Sequence, residues 1–252
     1  MKPLTEGVTP DGNKVNLTKI TAEIEQYGDY TTVTDRLDLE AVDPIIMMVT
    51  EEHGAQAGLT LDTLDRNEAI KGTSVMYAGG KTSRYALTGN DIITGRDVNK
   101  WATFLKKMKA PKVQGNEYVA IIHPSVTEDL RNDSQWLEAH KYASPEEIFN
   151  GEIGKLHGVR FIEDTMQKIW KPGSVAVYAT TFFGKDAWGI IEPSAESLEV
   201  IVKQRGSAGT SDPLDQRSTV GWKASTAAKI LYDERLVRFE TGSFFSATDA
   251  AN

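Results

Sequence analysis

The sequence contains no cysteine. Disulfide scaffolds, thiolate zinc sites, iron–sulfur clusters and cysteine nucleophiles are therefore excluded. Excess positive charge is also missing: 28 Lys and Arg stand against 36 Asp and Glu, a net charge of -8. A general DNA wrapper needs surplus cations to displace counterions, so that class drops out. Nor is there a long apolar run. The longest uncharged stretch, residues 172–184, falls well short of the ~20 residues that span a bilayer. Met1 to Glu6 carries no apolar core of a secretory signal. The expectation is a soluble chain, made in the cytoplasm, with no membrane partner.

Motifs that carry chemistry are equally scarce. Gly79-Gly80-Lys81-Thr82 resembles the end of a phosphate loop, but the position five residues before Gly80 is Val75, not Gly. The following Ser83 to Thr88 reads as extended rather than helical, so a plain loop is expected. The four histidines, His53, His123, His140 and His157, include no i, i+4 pair of the kind that ligates zinc on a helix. Glu51 and Glu52 flank His53, but on diverging faces of a helix. No Gly-x-Ser-x-Gly elbow occurs. No cofactor, metal or catalytic residue is expected. A small-molecule enzyme using His123 or His157 with nearby carboxylates stands as a distant alternative.

What is present is a sequence of clear structural signals. Pro10-Asp11-Gly12-Asn13 is a strong turn, since Pro presets φ and Gly and Asn tolerate positive φ. Ile20, Ala22 and Ile24 then alternate with polar residues, the period of a strand with one apolar face. A second strand-like run covers Tyr30 to Thr34. Together these predict a long, polar hairpin that buries little on its own and needs a body or a neighbour to pack on. The longest helix follows, with Asp43 as cap and Pro44 in its first turn. Ile46, Val49, His53, Ala57, Leu61 and Leu64 recur at helical spacing. Gly54 and Gly58 interrupt it; the reading is another element packed closely there, or else two shorter helices.

Thr94 opens a second helix with Asp97 as the capping partner. Its apolar stripe is Val98, Trp101, Leu105 and Met108, and Pro111 stops it. Lys100, Lys106, Lys107, Lys109 and Lys112 gather near its end, either a solvated face or a patch for an acidic partner. Tyr118 to Ile122 is a buried strand. Ser125 and Ser144 each begin a capping box for a short helix, the second ending at Asn150-Gly151. Strands are expected at 159–162, 175–180, 188–191 and 198–202. After a loop at 206–213 comes a closing β block at 219–239 with a turn near Asp233. The residues after Thr241 are small and polar and are expected to fray. The class is α+β.

Several stretches, in order along nearly the whole chain, resemble tailed-phage major capsid proteins with the Hong Kong 97 fold. They are Pro3 to Gly12, Ile20 to Tyr30, Asp43 to Ile46, Gln56 to Asp62, Val119 to Pro124, Glu138 to Phe161, Gly221 to Ala224 and Ala228 to Leu231. The resemblance implies an E-loop hairpin over residues 1–34, a peripheral domain with a long spine helix over 35–95 and 206–252, and an axial domain over 96–205. Members usually carry an N-terminal arm before the E-loop, and here the chain starts at the loop. Subunits of this kind assemble into pentamers and hexamers of an icosahedral shell. The implied inter-subunit contacts are Pro10, Asp11, Gly12, Asn13 and Lys14 in the E-loop, and Glu51 and Glu52 on the spine helix. Implied partners are other copies of the chain, portal and scaffold proteins, and packaged double-stranded DNA held by weak, non-specific contact. The implied location is the virion capsid, with assembly in the host cytoplasm. Some members crosslink an E-loop Lys to a neighbour's Asn; Lys14 and Lys19 are the lysines in that segment beyond Lys2. An encapsulin-like compartment, which shares the fold but houses protein cargo, is the alternative.

Overall fold

The computed structural model describes residues 6–7, 12, 14, 17–140, 152–193 and 198–252. In chain order the elements are β1 (Glu25–Thr34), α1 (Asp35–Glu40), α2 (Ile45–Ala69), β2 (Val75–Tyr77), α3 (Gly95–Lys107), β3 (Tyr118–Ile122), α4 (Pro124–Arg131) and α5 (Ser134–His140). Then follow β4 (Glu152–Leu156), β5 (Val159–Glu163), β6 (Ile169–Trp170), β7 (Val177–Phe183), β8 (Trp188–Ile191), β9 (Glu199–Lys203), β10 (Arg217–Ile230) and β11 (Leu236–Thr241). Helix and sheet are both substantial, as the α+β reading expects.

Two sheets divide the strands. In the smaller, β10 is the spine: β1 runs antiparallel along one edge, from Glu25 opposite Thr226 to Thr34 opposite Arg217. The other edge of β10 takes β9 and then β8. The larger sheet has the order β2-β11-β7-β3-β5-β4, with β6 also on β7. β3 and β5 are parallel, so their connection must cross over; α4, α5 and residues 141–151 lie within it.

The main core sits on the larger sheet. Val98, Trp101 and Leu105 bury the stripe of α3 against it, and Trp101 stacks 5.2 Å from Phe239. Phe161 and Phe182 meet edge to face at 6.1 Å. Met108 completes the predicted stripe in sequence but caps the helix and is exposed. A smaller core joins the other sheet to α2 through Ala57, Trp222 and Ala224, with Tyr27 and Leu61 packed on it.

Several expectations need correcting. The strand read at Ile20–Glu25 is not formed: residues 17–24 lie outside any strand, and β1 begins at Glu25. Its partner is β10, almost 200 residues on, because the inward residues of β1 find apolar and polar partners on α2 and β10 that a polar hairpin could not supply. Asp43 does not cap α2; Pro44 holds that position and no side-chain cap bond forms. α4 starts at Pro124, one residue ahead of Ser125, because proline's missing N–H and fixed φ suit a first helical turn. His123 caps it, its Nδ1 accepting from the Ser125 N–H at 3.2 Å. Thr94 caps α3 as read, accepting from the Asp97 N–H and donating to Asp97 Oδ2 at 2.7 Å. The helix read from Ser144 to Asn150 lies outside the described residues.

The C-terminal residues do not fray. Ser243 is buried and donates to the Ser125 carbonyl, Ala176 N–H donates to the Ala247 carbonyl, and Asn252 accepts from the Ile169 N–H. The composition of the tail is polar, but several of its groups bond to α4 and to the strands and loops of the larger sheet. The sheets also cross the expected domain boundaries. β2 and β11, assigned to the peripheral part, lie in the larger sheet with β3 and β7. β8 and β9, assigned to the axial part, lie beside β10.

Candidate assembly interface

α2 is fixed to the smaller sheet by a polar strap. Trp222 Nε1 donates to Gln56 Oε1 at 3.1 Å, and Gln56 Nε2 donates to Asp29 Oδ2 at 2.8 Å. An indole N–H can only donate, so the oxygen of the amide must face it. His53 Nδ1 lies 3.0 Å from the same oxygen, so Nδ1 carries the proton and Nε2 faces the Thr31 hydroxyl at 2.9 Å. The bond from Gln56, then that from the Tyr30 N–H, holds the Asp29 carboxyl below its ordinary value. His53 is itself buried. It is therefore a structural residue that seats α2 on β1.

The opposite face of α2 is left open by the described residues. Glu51 and Glu52 are exposed there, as are Met47, Met48 and Leu59 at 61%, 53% and 49%. The helix runs unbroken through Gly54 and Gly58, which rules out the two-helix alternative. No described residue packs on them either: a Cβ added at Gly54 or Gly58 would meet nothing within 4 Å. They form an open notch on an otherwise regular helix, at a cost near 1 kcal/mol each relative to Ala.

No described residue before Glu25 forms a hydrogen bond or ion pair, although Thr21, Ala22 and Glu23 line a cleft with Leu64, Asn67 and Glu68 of α2. Gly12 and Lys14 are exposed, while Pro10, Asp11 and Asn13 lie outside the described residues. Leu17, Ile20 and Ile24 are exposed large apolar side chains, Leu17 at 92%. The period-two set Ile20, Ala22 and Ile24 has no strand to use it. Glu51 and Glu52 are not brought against this segment within the subunit; no hydrogen bond or ion pair is formed between them among the described residues. A third open element was not evident in the sequence. β9 is an edge strand on which Val200 and Val202 remain exposed, with Leu198 exposed just before it. The sequence marks this stretch only as a strand, and the sheet order alone shows it to be an edge.

The remaining candidates do not converge. β3 and β5 run parallel, with His123 after the end of one and His157 before the start of the other. At ~3.3 Å per residue, five strand residues separate the two rings to opposite ends of the sheet. His123 packs 5.0 Å from the Tyr178 ring, and burial pushes its pKa down. The side chain of His140 lies outside the described residues. Gly79 and Gly80 take positive φ in a single turn, and the chain continues extended at Lys81, so no phosphate loop forms. Among the described residues no group of three His, Asp or Glu could hold a metal ion. No helix among them is long and apolar enough to cross a membrane. The lysines around the end of α3 lie on the surface, with Lys106 and Lys107 in its last turn.

Comparison with known proteins places these features. The phage capsid protein family matches residues 18–238. No curated protein matches the sequence. Among solved structures, the capsid of Ralstonia phage GP4 superposes with a TM-score of 0.68 at 14% identity, covering 92% of this chain and 75% of that one. The capsid of cyanophage P-SCSP1u gives 0.71 at 12% identity, covering 96% and 80%. The holo-SrpI encapsulin complex from Synechococcus elongatus gives 0.57 at 10% identity, covering 91% and 78%.

Proposed function

The chain belongs to the phage capsid protein family, and from that premise we propose that it is the major shell subunit of a tailed-phage or prophage particle. Its work is binding to copies of itself in pentamers and hexamers of an icosahedral shell that encloses double-stranded DNA. The observation that carries this reading is the family match across 221 residues, 18 to 238, on a subunit whose three bare elements are a long helix face, an extended arm and a strand edge. A monomer gains nothing from keeping such surfaces open, whereas rings built from heterologous contacts use two different faces of each subunit.

In this reading the N-terminal segment through Thr34 is the E-loop and its return strand. It lies across a neighbour's spine helix, α2, near Glu51 and Glu52, and Gly12 and Lys14 stand near its tip with Pro10, Asp11 and Asn13. The peripheral layer is α2 with β1, β8, β9 and β10, and the axial body is the larger sheet with α3 to α5. DNA contact is weak and non-specific, in keeping with a net charge of -8. Portal and scaffold proteins join the shell in the host cytoplasm. The role is structural rather than enzymatic.

An encapsulin-like compartment is the second reading, favoured by the superposition on the Synechococcus complex. Nuclease treatment of purified particles followed by extraction separates the two. Protected double-stranded DNA supports the phage shell. Particles that yield a stoichiometric protein cargo and no protected DNA overturn it.

A further inference from the structure

A cleft of about 180 Å³ lies between the C-terminal half of α2, β8 and the larger sheet. Its lining gathers three carboxylates, with Arg66, Gln167 and Thr181 as the other polar side chains and the indole of Trp188. Asp62 and Asp65 enter from α2, and Asp164 from the turn after β5. Gln167 is 3% exposed, and its Oε1 has no hydrogen-bond partner among the described residues. Its Nε2 is committed to Asp164 Oδ2 at 2.9 Å, so the oxygen is the part of the amide left without a partner. Asp65 Oδ1 is buried without a partner as well. Buried acceptors left unmatched cost about 1–3 kcal/mol each, so such a pair calls for a donor.

The only cation among the lining residues is Arg66. Its guanidinium is already engaged by the Met166 carbonyl and Asn67 Oδ1. Its Nε–H is also without a partner, so the cleft holds one unmatched donor beside two unmatched acceptors. Three carboxylates against one cation leave the cleft negative, and Glu192, beyond the end of β8, adds to the field on Asp65. Burial, then the neighbouring carboxylates, raises the pKa of both Asp62 and Asp65. Arg66 opposes this at Asp62 without reversing it. The opposite wall is apolar, with Trp188 and Ile190.

We propose that this cleft binds a primary alkylammonium group. The ammonium is accepted by Asp65 Oδ1 and Gln167 Oε1 within the field of Asp62, and the alkyl stem lies along Trp188 and Ile190. An ammonium has three donors and no acceptor, the complement of this lining, and a methylene stem suits the apolar wall. The same chemistry comes from two sources: a lysine of a neighbouring copy, or a diffusible polyamine. The cleft's lining stands independently of the capsid reading.

The test is calorimetric titration of unassembled subunits with 1,5-diaminopentane, with sodium chloride of equal ionic strength as control. Saturable binding is expected, weakened ~10-fold by Asp65→Asn, a change of about 1.4 kcal/mol. Release of protons on binding is expected at weakly acidic pH, because a bound cation draws down the raised carboxyls. Ile190→Lys places a tethered ammonium at the site; it should abolish diamine binding and raise the thermal midpoint of the free subunit. Heats no different from sodium chloride overturn the proposal, as does an Ile190→Lys subunit that binds diamine like the parent. Assembled shells assign the source. If subunits bind and shells do not, a neighbour's lysine fills the cleft; if both bind, the occupant is diffusible.

Discussion

Tyr178 shows how one residue reverses the expectation for a whole segment. Its hydroxyl lies 2.9 Å from the Ser246 carbonyl and 2.7 Å from Asp249 Oδ2. Burial, then the Asp249 bond, pushes its pKa up to about 12, so it stays a donor throughout the physiological range. Tyr178→Phe removes that single donor and leaves the acceptor it serves unmatched. A loss of about 2 kcal/mol is expected in urea unfolding, with faster proteolysis of residues 242–252. The raised carboxyl of Asp65 gives a second prediction. A folded state that holds its proton more tightly than the unfolded chain loses stability as pH rises from the ordinary value of 3.8 through the raised one. Asp65→Asn lacks that loss. Its thermal midpoint should match the parent near pH 3 and exceed it by on the order of 1–3 °C at pH 7; a constant offset at all pH values would refute the cause given. Neither residue announces itself in the sequence. Tyr178 sits in a run of apolar residues that reads only as a buried strand. Asp65 is one of 36 acidic residues, and its burial depends on β8, more than 120 residues away.

At the scale of elements, local rules located most of the structure. The capping pair Thr94 and Asp97, the apolar run Tyr118–Ile122 and the helical spacing of Ile46 to Leu64 each operate within a few residues, and each element formed where expected. Pairing is where such rules end. Ile20, Ala22 and Ile24 carry the period of a strand, but a period does not supply a partner, and pairing with β10 begins only at Glu25. The same limit hid β9 as an edge. Gly54 and Gly58 give the sharpest test at this scale. In the free subunit nothing approaches them, so Gly54→Ala and Gly58→Ala should each stabilise α2, by about 1 kcal/mol. If the notch receives a neighbour, the same substitutions should slow or abolish assembly. Stability and assembly moving in opposite directions supports an interface on this face of α2. Unimpaired assembly of a double variant would place the interface elsewhere.

For the molecule as a whole, composition excluded classes and ordered resemblance named the family, while geometry supplied the surfaces. The absence of cysteine, of excess cations and of a catalytic motif left an α+β chain with an exposed arm. What was not legible is the division of the two sheets. It depends on β11 returning to pair with β7 and β2, and on β8 and β9 joining β10, none of which a linear boundary can express. In the proposed reading the open helix face, arm and strand edge are surfaces for other copies of the same chain. Light scattering on size-exclusion fractions, with electron microscopy of the same fractions, tests this most directly. Five- and six-subunit rings or closed shells are the predicted result. A single-subunit mass at every concentration and ionic strength would contradict it.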